Sequence, residues 1–140
     1  MAELLVKARE LSRILENTQE GSSEGGEPWV GFYIIPNDMP GLNAKSSSSD
    51  IMKAVLGEAT FSALSFQKES TSDYRIFSND AENAQVYKDA AEIIFSVAQA
   101  GTAFRLVPGG DGDFYVGPTF IGARTSDGNI IGVRSHVVWT

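Results

Sequence analysis

The sequence predicts an α+β domain in which helices pack on a largely antiparallel sheet. Two long segments, near 3–17 and 80–100, show the apolar spacing of amphipathic helices. Three strand-like segments follow one another at the end of the chain, and an Asp-Gly pair in the last connection is typical of a β-hairpin. The length of 140 residues fits a single domain of this class.

The first part of the chain predicts a helix, an exposed loop and a strand. Apolar residues recur on one helical face within 3–17, namely Leu4, Leu5, Ala8, Leu11, Ile14 and Leu15. The polar stretch 18–28 contains three glycines and predicts a loop, because it cannot hold a helix or pack a core. The aromatic and β-branched run 29–35, between two prolines, predicts the first strand.

The middle of the chain is less regular. Residues 37–49 have loop composition, including the serine run 46–49, and a short helix capped by Ser49 or Asp50 is expected to end at Gly57. Segment 58–78 fits a helix or a strand equally well. Its residues Phe61, Leu64 and Phe66 are expected in the core.

The second half predicts one helix followed by three strands. The helix begins at Asp80 and is ended by Gly101, and its apolar stripe is Ala84, Tyr87, Ala91, Ile94, Phe95 and Ala98. The strands are 102–107, 114–123 and 130–139, and Pro118 predicts a bulge or an edge position for the second. Alternation in the last strand places Ile131, Val133, Val137 and Trp139 on one face and Arg134, His136 and Thr140 on the other.

The composition restricts the classes of partner. Eighteen acidic and eleven basic residues give a net charge of −7, which disfavours nucleic acid and anionic membranes and favours basic partners. The chain has no cysteine, and its first residues resemble neither a signal peptide nor a membrane span, so a cytoplasmic protein is expected.

Residue types that carry catalysis or bind metal are scarce. His136 is the only histidine, and a lone strand histidine is more often structural than catalytic. No nucleotide-binding or hydrolase motif occurs, and Asp111, Asp113 and Asp127 lack the later glutamate of a calcium loop, so turn acids are expected. Neither an enzyme nor a cofactor is predicted.

Two features suggest that carboxylates are displayed to a partner. The loop contains Glu20, Glu24 and Glu27 with no basic residue before Lys45, and the strand that ends on Thr140 presents an α-carboxylate that is ionised at neutral pH. A merely solvated acidic loop is the alternative. Four aromatic residues form either core or a binding platform: Trp29, Phe32, Tyr33 and Trp139.

The order of several short segments resembles the nuclease A inhibitor family. These segments are Ser23-Glu24, Pro28-Trp29, Asp80-Ala81-Glu82-Asn83-Ala84, Phe104-Arg105-Leu106, Phe114-Tyr115-Val116-Gly117, Gly128-Asn129-Ile130-Ile131-Gly132 and Val137-Val138-Trp139-Thr140. The resemblance covers nearly the whole of 1–140, is best from Asp80 onward, and is poor between Asp38 and Tyr74.

The resemblance implies a monomeric inhibitor of magnesium-dependent, sugar-non-specific DNA/RNA endonucleases. It implies a PR-1-like three-layer α/β/α sandwich, and it implies that Glu24 and the Thr140 carboxylate approach the magnesium ion of the nuclease, the inhibitor having no metal of its own. This sequence departs from the family at Gly25 and Gly26, which leaves Glu27 as a second candidate, and at Trp139, where the family can carry an acid.

Three function classes remain open on the sequence. The first is the nuclease inhibitor, and the second is an acidic protein-protein interaction module that does not inhibit. The third is a small hydrolase, which requires His136 to sit beside a serine or a carboxylate.

Overall fold

A computed structural model of the protein describes residues 2–18, 27–77, 84–109 and 115–139. Its helices are α1 (Ala2–Ile14), α2 (Ser48–Leu56), α3 (Glu58–Ser62) and α4 (Ala84–Phe95), with 3-10 turns at Pro36–Asp38 and Tyr74–Ile76. Its strands are β1 (Val30–Ile34), β2 (Leu64–Lys68), β3 (Phe104–Pro108), β4 (Tyr115–Arg124) and β5 (Ile130–Trp139). Helices combined with an antiparallel sheet confirm the predicted α+β class.

In the described part of the chain, the sheet has five strands in the order β1-β5-β4-β3-β2. Its longest ladder joins β4 to β5, from Tyr115 opposite Trp139 to Arg124 opposite Ile130, so the predicted hairpin is confirmed. The turn is closed by the N–H of Thr125, which donates to the carbonyl of Asn129 at 2.8 Å. Gly128 has φ +83° there, a left-handed conformation that favours glycine.

Each face of the sheet carries its own hydrophobic core because side chains alternate along a strand. On one face, buried residues of α1 and α4 pack on Ile121, Ala123, Ile131 and Val133. On the other face, Ile51 and Met52 of α2 pack with Phe104, Leu106, Phe120 and Ile130. The predicted split of β5 is thereby confirmed for Ile131 and Val133, and Arg134 is exposed on the opposite face.

Helix α1 lies directly against the edge strand β1. Ser12 Oγ accepts a hydrogen bond from the N–H of Gly31 at 2.8 Å. A Cβ added to Gly31 would lie 2.0 Å from the carbonyl oxygen of Ala8, so the two backbones are in contact. The helix thus satisfies a main-chain donor on an edge strand, where an unpaired donor invites pairing with other chains.

Three helix ends differ from the predictions, and the first is that of α1, which ends at Ile14 and not at 17. Helix α2 is capped by Ser47, whose Oγ accepts from the N–H of Asp50 at 3.1 Å, and neither Ser49 nor Asp50 is the cap. Helix α4 ends at Phe95 and does not continue to Gly101, because Ala98 pairs with Thr125 at the end of the sheet. Its predicted beginning at Asp80 lies outside the described residues.

Segment 58–78 contains both of the structures that its sequence fits, the short helix α3 and then the strand β2. Phe61, Leu64 and Phe66 are partly buried against the second core, as expected. Neither alternative predicted for Pro118 is correct: β4 lies between β5 and β3 and is no edge strand, and its ladder with β5 keeps one register through Pro118, without a bulge. The β3 ladder stops at Phe120, however, so Pro118 is paired on one side only and its missing N–H breaks no ladder there.

Candidate partner-binding end of the sheet

Glu27 is the only loop glutamate of the three that falls within the described residues, and Glu20 and Glu24 lie outside them. Its side chain is exposed. Its N–H donates to the carbonyl of His136 at 3.4 Å, and its own carbonyl accepts from Ser135 Oγ at 2.6 Å. Both main-chain groups are therefore held by β5, and the Glu27 carboxylate stands on an anchored backbone.

The stem of the acidic loop is closed by a second set of hydrogen bonds. The N–H of Trp29 donates to the carbonyl of Thr18 at 3.1 Å. Thr18 in turn donates from its N–H and its Oγ1 to the carbonyl of Leu15, at 2.9 and 2.8 Å. This capping turn explains why α1 ends at Ile14 and not at 17, and it joins the two sides of 19–26 at the carboxyl end of α1.

The end of β5 lies close to this stem. Trp139 is the last residue of β5 and is opposite Tyr115. It follows His136 by three residues, which corresponds to about 10 Å along an extended strand. Glu27 and Trp139 are therefore at the same end of the sheet, while Thr140, which is bonded to Trp139, lies outside the described residues.

The aromatic residues divide between core and surface. Trp29 is fully buried and packs its ring edge to face against Phe77, with 5.8 Å between ring centroids. Phe32 packs in the same way against Phe120 in the second core. The core interpretation is confirmed for Trp29 and Phe32, whereas Tyr33 is 36% exposed.

His136 is half-buried on the same strand face as Arg134. Within the described ranges, no hydrogen bond or ion pair joins its ring to a serine or a carboxylate. Ser135 next to it is buried on the opposite face and uses its hydroxyl on Glu27. The pair that a hydrolase would need is therefore not found in this part of the chain.

A metal site is not found among the described residues either, since no three His, Asp or Glu side chains converge there. Asp127 is an exposed residue of the β4–β5 turn, as expected, and Asp111 and Asp113 lie outside the described residues.

Ser135 is the residue at this end that the sequence interpretation missed. It is 2% exposed and holds the backbone of the acidic segment in place. The sequence did contain an indication of this role. Ser135 is two residues after Val133 and four after Ile131 in β5, so its hydroxyl lies on the same face as these two core residues. A polar residue on a core face has to find a hydrogen-bond partner, and here that partner is the loop.

None of the helices in the described ranges has the length and apolar character of a membrane span. A comparison with models of known protein families gave no match, and a comparison with curated proteins gave none. The resemblance to nuclease A inhibitors therefore rests on the residue pattern alone.

Proposed function

We propose that this protein inhibits a magnesium-dependent, sugar-non-specific endonuclease by placing carboxylates of the acidic loop and of the C-terminus in the active site. The observation that supports the proposal is the attachment of Glu27 to β5, three residues before Trp139. The expected contacts, Glu24 and Thr140, are close in sequence to Glu27 and Trp139, and these two residues lie at one end of the sheet.

A PR-1-like three-layer arrangement is part of the same proposal. It is supported by the two cores, one between the sheet and α1 with α4, the other between the sheet and α2. A sheet packed on both faces resists bending, and a backbone anchored to it, as that of Glu27 is, loses little further freedom on binding.

The inhibitory chemistry follows from the preferences of magnesium. Mg²⁺ takes hard oxygen ligands, and a nuclease presents it to the scissile phosphate. A carboxylate supplies similar oxygen atoms and the same sign of charge as the phosphate, but it offers no bond to hydrolyse. An inhibitor of this kind occupies the metal-containing site without being consumed.

The acidic character of the chain supports fast association with a basic cleft. The net charge is −7, and opposite charges accelerate diffusional encounter. We expect the association rate to fall steeply with added salt while the dissociation rate changes less. An association rate that ignores ionic strength would argue against a charge-complementary interface.

The direct test titrates the protein into a magnesium-dependent non-specific endonuclease while DNA breakdown is followed. Glu24→Gln and Glu27→Gln each remove one carboxylate at nearly constant shape, and each should weaken inhibition by on the order of 2 to 5 kcal/mol if its contact is desolvated. Glu92→Gln is the matched control, because Glu92 is an exposed residue of α4 and makes the same change in net charge.

A C-terminal extension tests the terminal carboxylate. Adding a few residues after Thr140 moves that charge and should abolish inhibition, while a terminal strand end tolerates the addition. The same residues added before Met1 are the control, because the start of α1 lies beside Ser126 and Asp127 at the opposite end of the sheet. Full inhibition by the folded, C-terminally extended protein would show that the terminal carboxylate does not enter the active site of the nuclease.

The second candidate function is an acidic interaction module that binds a basic partner without inhibiting it. It is favoured by the exposed, anchored Glu27, which presents a carboxylate whether or not the C-terminus takes part. Binding to a nuclease that still cleaves DNA would select this alternative.

A further inference from the structure

A cavity of about 360 Å³ lies at the end of the sheet opposite to Glu27. Its wall includes Ser48 and Ser49 of α2, Phe66 and Lys68 of β2, Thr102, and Arg124 of β4. Since β4 runs from Tyr115 to Arg124, about 30 Å of strand separates this cavity from the Trp139 end. A ligand in this cavity would not contact the residues proposed to bind a nuclease.

The lining of the cavity is cationic although the protein is acidic. Lys68 and Arg124 both line it, and no carboxylate does. Within the described ranges, Lys68 forms no ion pair. Two cations and no carboxylate in the lining make this cavity a more favourable place for an anion than the rest of a chain of net charge −7.

Arg124 is held rigidly. Its guanidinium uses all five of its N–H groups. Nη2 donates to the carbonyls of Ala44 and Gly128 at 2.8 Å each, Nη1 donates to the carbonyl of Ser46 at 2.7 Å and to Ser48 Oγ at 3.4 Å, and Nε donates to the carbonyl of Gly128 at 3.1 Å. Burial lowers the pKa of Arg124. Its described partners are carbonyls and a hydroxyl, so this part-buried charge has no counter-ion among them. An anion in the cavity would stabilise the charge through space, without a hydrogen bond from the guanidinium.

The first turn of α2 adds neutral donors to the same wall. Ser47 Oγ accepts a hydrogen bond from the N–H of Asp50. The N–H groups of Ser48 and Ser49, at the start of the helix, form no hydrogen bond with a described residue. Phe66 provides the apolar part of the wall, fixed by stacking on Phe104 at 5.3 Å between centroids.

We infer that this cavity binds a small phosphate monoester, with the phosphate hydrogen-bonded to Lys68 and the serines of α2 near the charge of Arg124, and with the organic group against Phe66. A phosphate monoester carries close to two negative charges at neutral pH, which match the two cations. The cavity falls within the range of about 300 to 1,000 Å³ typical of small-molecule sites, so there is room for an organic group beside the phosphate.

The test is an NMR titration of the full-length protein with phenyl phosphate, inorganic phosphate and benzyl alcohol. Phenyl phosphate should shift the amides of Ser48, Ser49 and Lys68 in a saturable way and bind more tightly than inorganic phosphate, and benzyl alcohol should shift none of them. Absence of saturable shifts, or equal affinity for the two phosphates, would overturn the assignment.

Variants localise the effect. Lys68→Gln should weaken phenyl phosphate binding by about two- to fivefold, the range for an exposed ion pair. The control is Lys53→Gln, an exposed lysine of α2 outside the cavity with the same change in charge. Ser49→Asp should abolish binding with no loss in Tm, since an acid is favoured in the first turn of a helix. Equal affinities for the two lysine variants, or unchanged binding by Ser49→Asp, would overturn the proposal.

Discussion

The contact between α1 and β1 predicts that Gly31→Ala strongly destabilises the protein. The new methyl group would lie 2.0 Å from the carbonyl oxygen of Ala8 and 2.8 Å from its carbonyl carbon. Both are main-chain atoms, so no side-chain rotation relieves the overlap and α1 itself has to move. The movement also strains the hydrogen bond from Gly31 to Ser12 Oγ.

The expected loss in the free energy of unfolding is about 3 kcal/mol. Overpacking against a backbone costs about 3 kcal/mol, the upper end of its range. The weakened hydrogen bond destabilises the protein by about 1 kcal/mol more. Replacing glycine by alanine also lowers the conformational entropy of the unfolded chain, which offsets about 0.5 to 1 kcal/mol of this loss. For a chain of this size Tm should fall by roughly 6 to 12 °C.

Urea unfolding followed by far-ultraviolet circular dichroism measures this difference. Gly109→Ala is the control, because its added Cβ meets only the carbonyl of Ala63, at 3.3 Å, and should cost no more than about 1 kcal/mol. Ser12→Ala should cost about 1 kcal/mol in the native background and much less beside Gly31→Ala, since the two changes break one contact. If the free energies of unfolding of the Gly31→Ala and native proteins differ by less than about 0.5 kcal/mol, α1 does not pack on β1 as described.

Two further outcomes test the described contacts. Ser135→Ala removes the buried hydroxyl that donates to the carbonyl of Glu27. It should lower the free energy of unfolding by about 1 to 3 kcal/mol and speed amide exchange of Glu27. Unchanged exchange would show that Ser135 does not hold the backbone of Glu27 in place. The Arg75 guanidinium, mainly through its side-chain hydrogen bond, lowers the pKa of Asp73 to about 2. Because this pKa is depressed on folding, the pair stabilises the protein above about pH 4 and its contribution is lost as the pH falls toward 2. Carbon-13 NMR should show that low midpoint. Arg75→Gln should raise it only part of the way to the ordinary range, because the main-chain N–H of residue 75 still donates to Asp73. A midpoint near 4 in the native protein would rule the pair out.

Local patterns predicted the elements that depend on near neighbours. Strand β5 has the bounds that its alternation indicates, and the Asp-Gly turn before it forms the hairpin. The amphipathic face of α1 is buried, and Gly57 ends α2 with φ +87°. Periodicity and turn chemistry act over a few residues, so the sequence displays them directly.

The candidate site was predicted in its residue types and only partly in its geometry. The sequence singled out Glu27 and Trp139, and their common position at one end of the sheet follows from pairing between β1 and β5. Ser135, which holds Glu27, was not singled out. Ser135 and its partner Glu27 are far apart in the chain, and the residues around each give no indication that the two are in contact.

The features that depend on contacts distant in sequence were not predictable from local patterns. Helix α4 stops at Phe95 because the following residues join the sheet at Thr125, and no local signal marks that point. Lys68 and Arg124 line one cavity because β3 separates their strands by a single position in the sheet. The α+β class, the hairpin and the inward faces are predictable from the sequence, since they follow from spacing. Strand order and the convergence of charges follow from the joint packing of all elements, which no short segment contains.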